Sequence, residues 1–312
     1  MPIVRKSPLN GIIPPLVTPL IDNETLDIAS LESLIEHLVQ GGVSGLFILG
    51  TTGEEQSLSY NMRHKMIRES CRINAGRLPL LVCVSDTSIV ESLKMAELAA
   101  ECGAYAVVSA PPYYAATGQP ELVQFYDELV SQLPLPLFLY NMPSHVKVNF
   151  APETVEQISK NAKVIGFKDS SANAVYFQQV MYKMQNRKDF AMFVGPEEIT
   201  GECVLMGADG GINGGANMFP ELYVAMYNAA HAGNLAEVLR LQQLIMQISD
   251  SIYTVGKHSS SYLKGLKCAL SILGIIKDDF VASPFYKFYP PERRKIERAL
   301  AALPIENGKL VF

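Results

Sequence analysis

From Gly11 onward the chain alternates short apolar, β-branched segments with longer amphipathic ones. Segments with apolar residues three and four positions apart, the helical period, include residues 28–40, 60–75, 89–102, 121–133, 152–161 and 173–185. Eight apolar segments have the length of strands: residues 11–17, 45–49, 80–84, 105–109, 137–140, 164–168, 191–194 and 210–213. This alternation predicts βα units around a parallel sheet.

Eight βα units match the α/β class and a closed (β/α)8 TIM barrel. An open, doubly wound sheet is the alternative, disfavoured because no G-x-G-x-x-G turn follows the first strand. A helical pattern at 220–232 completes the eighth unit. Further helical patterns at 235–250, 259–273 and 291–301 are not preceded by another predicted barrel strand. We therefore predict a catalytic barrel over residues 8–232 and a C-terminal helical extension over 233–312.

Composition narrows the class of partner. Hydrophobic residues make up 48% of the 312 residues and the formal net charge is -5, without a long basic run. A small-molecule partner is therefore expected, and neither nucleic acid nor a membrane. No apolar run approaches the ~20 residues of a membrane span, and the N-terminus lacks the apolar stretch of a signal peptide. Five widely spaced cysteines fit a reducing compartment, so the predicted location is the cytoplasm.

Lys168 is the strongest candidate for chemistry, because it ends the sixth predicted strand. Reactive groups of a (β/α)8 barrel lie at the C-terminal ends of strands. A lysine buried there can have its pKa lowered from ~10.4 toward ~7–8, where the neutral amine attacks a carbonyl carbon. The structural alternative is a lysine that extends to water or pairs with Asp169.

Other strand ends carry hydroxyl groups. Tyr140 ends the fifth strand and could pass protons, although a buried tyrosine there could equally be structural. Thr51 and Thr52 lie between glycines and offer hydroxyl and N–H groups to a carboxylate. The glycine-rich residues 210–217 could instead hold a phosphate, which keeps a phosphate-binding barrel isomerase as an alternative, although no arginine or lysine lies nearby in these loops.

Metal chemistry is disfavoured, because metal-dependent aldolases need clustered imidazoles and carboxylates. The histidines are scattered along the chain, at His37, His64, His145, His231 and His258. We therefore predict neither a metal nor another cofactor.

Taken together, the motifs resemble those of the dihydrodipicolinate synthase / N-acetylneuraminate lyase family of Schiff-base-forming class I aldolases. In chain order they are G-I-I-P-P-L-V-T-P-L from Gly11, G-T-T-G-E from Gly50, P-P-Y-Y from Pro111, Y-N-M-P from Tyr140, G-F-K-D-S-S from Gly166 and G-A-D-G-G-I-N-G-G-A-N-M-F-P from Gly207. They span essentially the whole barrel. The 28-residue separation of Tyr140 and Lys168 (168 − 140 = 28) is also that of the family.

The resemblance implies a role for each matching residue. Lys168 would form a Schiff base with a 2-keto acid, pyruvate being expected, and Thr51 and Thr52 would hold its carboxylate. Tyr140 would pass protons in a Tyr140–Thr51–Tyr114 relay, with Tyr114 reaching across a subunit boundary. The carbonyl of Ile212 would lie near Lys168. The resemblance also implies a homotetramer, a dimer of dimers. Further implied substrate-binding residues are Gly50, Ser170, His145, Gly195 and Glu198.

Departures from the family pattern concern the second substrate, an aldehyde. His145 stands where dihydrodipicolinate synthases have an arginine that grips carboxylates, and Gly214 stands where sialic acid lyases have a serine. Glu197 replaces an expected aspartate, and Glu55 replaces a small residue, which narrows the pocket.

We therefore predict a pyruvate-type class I aldolase or lyase with an undetermined acceptor. Ser170, His145 and Glu198 favour a keto-deoxy sugar acid or hydroxy-oxoglutarate type of substrate. Dihydrodipicolinate (4-hydroxy-tetrahydrodipicolinate) synthase and N-acetylneuraminate lyase are alternatives within the family. A non-catalytic keto-acid sensor is disfavoured because Lys168 and Tyr140 are both present.

Overall fold

The computed structural model describes residues 9–306 and 309–312, so Pro8, the predicted start of the barrel, lies outside the described residues. Eight parallel strands form one sheet, and an additional antiparallel hairpin follows the first of them. In chain order the strands are β1 Gly11–Ile12, the hairpin β2 Leu20–Asp22 and β3 Thr25–Leu26, β4 Leu46–Ile48, β5 Leu80–Cys83, β6 Ala106–Ser109, β7 Leu137–Asn141, β8 Val164–Asp169, β9 Ala191–Val194 and β10 Gly210–Gly211.

Helices follow the strands of the sheet. They are α1 Ile28–Gln40, α2 Tyr60–Asn74, α3 Ile89–Glu101, α4 Gln119–Gln132, α5 Pro143–Val146, α6 Pro152–Ile158, α7 Ala174–Met184, α8 Thr200–Leu205 and α9 Pro220–His231. Several begin at side-chain caps: Asp27, Ser59 and Asn173 each accept a hydrogen bond from a backbone N–H in the first turn. The predicted helices are present, and the short helices α5 and α8 are additions that the sequence pattern did not reveal.

The sheet closes into a barrel. Its strand order is β1-β10-β9-β8-β7-β6-β5-β4, and a parallel bridge between Pro15 and Phe47 joins the chain just after β1 to β4. Leu16 N–H donates to the Phe47 carbonyl at 2.8 Å, and Phe47 N–H donates to Pro14 at 3.0 Å. The (β/α)8 barrel prediction is therefore confirmed, and the open-sheet alternative is wrong.

Large aromatic side chains fill the barrel, as its enclosed interior requires. Phe47, Phe138 and Phe193 come from three different strands and are fully buried, whereas Phe167 projects from the other face of β8 toward Phe150 and Tyr176. Gly166 gives the Phe138 ring its space, since a Cβ at this position would lie 2.1 Å from that ring. The two strands β7 and β8 can thus stay paired beneath the barrel mouth.

Three helices follow the barrel: α10 Leu235–Ile248, α11 Ser261–Ile272 and α12 Pro290–Ala301, with a π-helical turn at Ser249–Tyr253 and a terminal hairpin of β11 Ile305–Glu306 and β12 Lys309–Leu310. This confirms C-terminal helices after the barrel, while the division at residue 233 stays a prediction. In the part of the chain that the structure describes, no helix is long and apolar enough to cross a bilayer.

A buried ion pair fastens the C-terminal helices to the barrel. Lys267 of α11 donates to the Glu54 carboxylate, and both side chains are almost fully buried. Lys267 also donates to the Phe280 carbonyl at 2.7 Å, and Ala282 N–H donates to Glu54 at 2.7 Å. Because Glu54 follows Thr51 and Thr52 in the loop after β4, the helical extension is attached directly to the candidate site.

Candidate active site

A cavity of about 270 Å³ opens at the C-terminal ends of the strands. Thr51, Thr52, Tyr140 and Lys168 line it, as do residues from the C-terminal helices. Parallel barrels place their reactive groups at this end, and the cavity size suits a small keto acid with an acceptor beside it.

Lys168 is buried at the base of the cavity, with 4% of its surface exposed. Its ammonium nitrogen lies 4.2 Å from the centre of the Tyr140 ring and 4.7 Å from that of Phe47. Burial lowers the pKa of Lys168 to about 7, so a large part of the amine is neutral near physiological pH. The Asp169 carboxylate is bonded by Asn141 and Ser171 instead, which disfavours the alternative of a Lys168–Asp169 pair.

The 28-residue spacing of Tyr140 and Lys168 becomes direct adjacency, because the two residues are register partners in the β7–β8 ladder. Neighbouring residues in register project to the same face of a sheet. The Tyr140 hydroxyl also lies 3.1 Å from the Thr51 hydroxyl. Burial raises the pKa of Tyr140 to about 12, so its phenol keeps a proton that it can donate.

The threonine loop is held in an uncommon backbone conformation. Leu49 (φ 59°) and Glu54 (φ 60°) flank it in the left-handed region, where a non-glycine residue costs of order 1–3 kcal/mol. The ion pair of Glu54 with Lys267 keeps the second of these positions in place. Within the loop, the Thr52 hydroxyl lies 3.3 Å from the Tyr262 hydroxyl. Each threonine is thus paired with a different tyrosine.

Five other predicted site residues line the same cavity: Ser170, His145, Gly195, Glu198 and Ile212. His145 lies on the short helix α5 next to Lys147, and partial burial lowers its pKa. The Glu198 carboxylate accepts from Ser249, so it is tied to the C-terminal extension.

Two predicted residues lie elsewhere. Gly50 precedes the threonine turn and packs on Phe47, whose ring would lie 2.6 Å from a Cβ at this position. Tyr114 is 94% exposed and does not line the cavity of its own chain. Their implied substrate and relay roles stay predictions.

The sequence reasoning noted Glu197 only as the replacement of an expected aspartate, and it did not single out Tyr253 or Tyr262. Glu197 is buried and accepts from Tyr223 at 2.6 Å, from Tyr253 at 2.8 Å and from Gly215 N–H at 2.8 Å. Burial raises the pKa of Glu197 to about 7, with Glu198 as the next contribution. Tyr253 and Tyr262 belong to the C-terminal segment and their rings meet edge to face, with centroids 4.8 Å apart. The rule that reactive groups follow the barrel strands applies to Glu197, which comes after β9. It does not apply to Tyr253 and Tyr262, which lie in the C-terminal extension.

The arrangement provides the groups that imine chemistry needs. The cavity holds a partly neutral amine, the hydroxyl pairs Thr51–Tyr140 and Thr52–Tyr262, and the side chains of Glu197, Glu198 and Tyr253. An amine of this kind can add to a ketone, and the resulting cationic imine acts as an electron sink for cleavage or formation of a carbon–carbon bond.

Comparison with known proteins gives the same family. The model of the dihydrodipicolinate synthetase family matches residues 8–303. A probable 2-dehydro-3-deoxy-D-pentonate aldolase of Escherichia coli is 28% identical, over 94% of this chain and 97% of its own length. A structure described as dihydrodipicolinate synthase from Bacteroides thetaiotaomicron is 67% identical with a TM-score of 0.93, over 96% of this chain and all of that chain.

A chloride-inhibited dihydrodipicolinate synthase from Acinetobacter baumannii, solved with pyruvate, is 26% identical with a TM-score of 0.86, over 94% of this chain and 98% of that one. These matches confirm the predicted resemblance and the enzyme class, a lyase of the class I aldolase type. The chain belongs to the dihydrodipicolinate synthetase family.

Proposed function

We propose that the protein is a pyruvate-dependent Schiff-base lyase that joins pyruvate to, or releases it from, a neutral hydroxylated aldehyde, as in the cleavage of a keto-deoxy sugar acid. The observation that carries this proposal is the buried, partly neutral amine of Lys168 beside the Tyr140 hydroxyl. The pyruvate bound in the Acinetobacter relative supports the choice of keto acid.

In this mechanism the neutral Lys168 amine attacks the keto carbon of pyruvate, and the carbinolamine loses its hydroxyl as water to give a cationic imine. Thr51 and Thr52 bind the pyruvate carboxylate through hydroxyl and N–H groups. Tyr140 donates a proton to the departing hydroxyl, and Thr51, 3.1 Å away, exchanges protons with it. Loss of a proton from C3 then gives the enamine that attacks the aldehyde. In the reverse direction the same electron sink releases the aldehyde.

The acceptor end of the cavity supports a neutral, hydroxylated partner. Glu197, Glu198, Tyr253 and Tyr262 line that wall and offer oxygen atoms that pair with hydroxyl groups. Lys168 is the only lysine, and no arginine is present, among the described residues that line the cavity. A second carboxylate would therefore lie beside glutamates without a cationic partner, which favours a sugar-type tail over the glyoxylate released from a hydroxy-oxoglutarate.

The fit is poor for the N-acetylneuraminate lyase alternative. That branch carries a serine at the position of Gly214, but here a Cβ on Gly214 would lie 1.6 Å from the Tyr262 hydroxyl. Tyr262 thus occupies the space that a serine side chain needs. The acceptor wall instead combines Glu197 and Glu198, which follow β9, with Tyr253 and Tyr262 of the C-terminal segment.

A second candidate is 4-hydroxy-tetrahydrodipicolinate synthase, because the 67% identical Bacteroides structure is described as a dihydrodipicolinate synthase. Its acceptor, aspartate semialdehyde, carries a carboxylate that an arginine grips in the family pattern. His145 stands at that position, and partial burial together with Lys147 lowers its pKa, so it is a weak cation at neutral pH. We expect slow condensation with this aldehyde.

The two candidates can be separated by an acceptor panel. The enzyme is incubated with pyruvate and, in parallel, with glyceraldehyde, glycolaldehyde, glyoxylate, N-acetylmannosamine or aspartate semialdehyde, and the products are identified by mass. We expect carbon–carbon bond formation with the neutral hydroxyaldehydes. Efficient condensation with aspartate semialdehyde would replace the proposed acceptor by the synthase reaction. The Lys168→Met variant is the control and should give no product with any aldehyde.

We further propose a homotetramer in which the exposed Tyr114 of one subunit reaches the Thr51 hydroxyl of another. Its 94% exposure in a single chain supports contact with a second copy. Tyr114→Phe should keep the fold and the oligomer mass but lower turnover. Sedimentation that finds a fully active monomer would contradict this assembly. The cytoplasmic location stays a prediction from the cysteine pattern.

A further inference from the structure

A second cavity of about 160 Å³ lies directly behind the proton-transfer pair of the candidate site. Thr51 and Tyr140 line both cavities, so they form part of the wall between them. Residues Glu55, Cys83, Ser85 and Tyr113 line the second cavity as well. Its volume is ample for water, since one water molecule needs roughly 10–15 Å³ of such space. A proton reaching Thr51 or Tyr140 can therefore continue into this cavity.

Glu55 is the exceptional residue of this cavity. Only 5% of it is exposed, and its buried oxygen Oε1 has no hydrogen-bond partner at normal distance and angle, although the Cys83 thiol, a weak donor, interacts with the carboxylate. Buried polar atoms are almost always bonded, so an unbonded carboxylate oxygen calls for an explanation. Arg63 is the nearest cation, 3.8 Å away, but it lies closer to Asp86, at 3.2 Å. Two carboxyl groups thus share one guanidinium, and Glu55 is the less satisfied of them.

We propose that Glu55 is the proton reservoir of the reaction, a positioning residue that exchanges protons with the Thr51–Tyr140 pair across the second cavity. The inference rests on the proposed Schiff-base function and deepens it. Glu55 follows the G-T-T-G-E motif, where the family resemblance implies a small residue, so the reservoir belongs to this chain's own sequence.

The reservoir balances the two proton transfers of imine formation. Protonated Glu55 supplies a proton through Thr51 and Tyr140 to the carbinolamine hydroxyl, the C–O bond breaks, and water leaves. The imine then loses a proton from C3 of pyruvate, and the electron pair forms the enamine double bond. This proton returns through the same hydroxyl groups to the Glu55 carboxylate, which restores the starting state without any further reactant.

The pKa values of Tyr140 and Glu55 suit them to different roles in proton transfer. Burial raises the pKa of Tyr140 to about 12, so its phenol relays a proton but does not hold the charge that remains after the proton has left. Burial, opposed by Arg63, raises the pKa of Glu55 to about 8, which suits a group that must both give and take a proton near neutral pH.

The titratable or charged groups around Glu55 are Tyr60 and Arg63 of α2, Cys83 of β5, Asp86 after β5, Tyr113 after β6, Tyr140 of β7 and His145 of α5.

The test is the exchange of pyruvate methyl protons with deuterium, followed by NMR without any aldehyde. In the wild type we expect exchange to fall below about pH 7, where Lys168 is protonated, and above about pH 8, where Glu55 has lost its proton. Glu55→Gln should slow exchange roughly 100-fold, at the low end of general acid–base effects, and should lose the alkaline limb. Glu55→Asp should recover part of the exchange rate and part of the alkaline limb. The matched control, Glu97→Gln on the exposed face of α3, should behave as the wild type.

Borohydride trapping of pyruvate on Lys168, in wild type and in Glu55→Gln, tests the Schiff-base function separately from the proton reservoir. Wild-type enzyme without a trapped adduct would overturn the proposed function. An adduct in both proteins, with wild-type exchange and an intact alkaline limb in Glu55→Gln, would overturn the reservoir alone. Loss of trapping in Glu55→Gln without any recovery in Glu55→Asp would also overturn it, because Glu55 would then be a structural residue.

Discussion

Lys168 should destabilise the folded protein while it serves the reaction, so replacing it should stabilise the fold. Burial lowers its pKa from 10.5 to about 7, and each factor of ten in proton affinity is worth about 1.4 kcal/mol. The full difference corresponds to roughly 5 kcal/mol of lost stability at acid pH. We therefore expect Lys168→Met, which keeps a long side chain without the charge, to raise the free energy of unfolding by roughly 4 kcal/mol at pH 7.

The pH dependence identifies the cause. Between about pH 7 and 10.5 the unfolded chain holds a proton on Lys168 that the folded protein has released, so wild-type stability rises with pH. The advantage of Lys168→Met should therefore shrink by up to about 1.4 kcal/mol for each pH unit toward 10.5. Below pH 7 both states of the wild type are protonated and the advantage should be constant.

The assay is urea unfolding of wild type and variant at pH 7, 8 and 9, at one protein concentration because assembly would couple to stability. Lys160→Met is the matched control, since this exposed lysine should change stability by no more than about 0.5 kcal/mol. A variant that is no more stable than the wild type at pH 7, or a stability difference that is the same at all three pH values, would show that the buried Lys168 amine does not destabilise the fold.

Other substitutions test the surroundings of the amine. Lys267→Met should lower the free energy of unfolding by about 3–5 kcal/mol, because it leaves Glu54 buried and unpaired, and Glu54→Gln in the same chain should recover part of it in urea titrations. Gly214→Ser should clash with the Tyr262 hydroxyl and cost about 1–3 kcal/mol, and removal of that ring oxygen in Tyr262→Phe should recover only part of the loss, because the ring carbon Cζ still lies 2.8 Å from a Cβ at position 214. Thr52→Val should raise KM for pyruvate in steady-state assays and change kcat less; an unchanged KM would argue against its contact with the carboxylate.

The barrel was predictable because its strands are buried on both faces and therefore appear in the sequence as short continuous apolar runs. The same rule located Lys168 and Tyr140, each at the end of such a run. Short elements could not be predicted in this way, since α8 has only six residues. Its Gly201 packs against Met226 and Val238 of later helices, and the sequence around Gly201 does not indicate these contacts.

The acceptor side of the site could not be predicted in the same way. Tyr262 meets Thr52 across 210 residues of sequence, and Lys267 meets Glu54 across 213. Both pairings depend on how the C-terminal helices fold back over the barrel mouth. A helical pattern predicts that such a segment is a helix, but not which cavity it covers. The role of Tyr114 cannot be read from one chain for a related reason. Its side chain is exposed there, and its expected contact is with another subunit.

Reduction with borohydride in the presence of pyruvate, followed by peptide mass spectrometry of the wild-type protein, tests whether Lys168 forms the Schiff base. We expect a single reduced pyruvate adduct on the peptide that contains Lys168, loss of activity in proportion to labelling, and no label on that peptide in Lys168→Met. Labelling of another lysine, or full activity after reduction with pyruvate, would contradict this expectation.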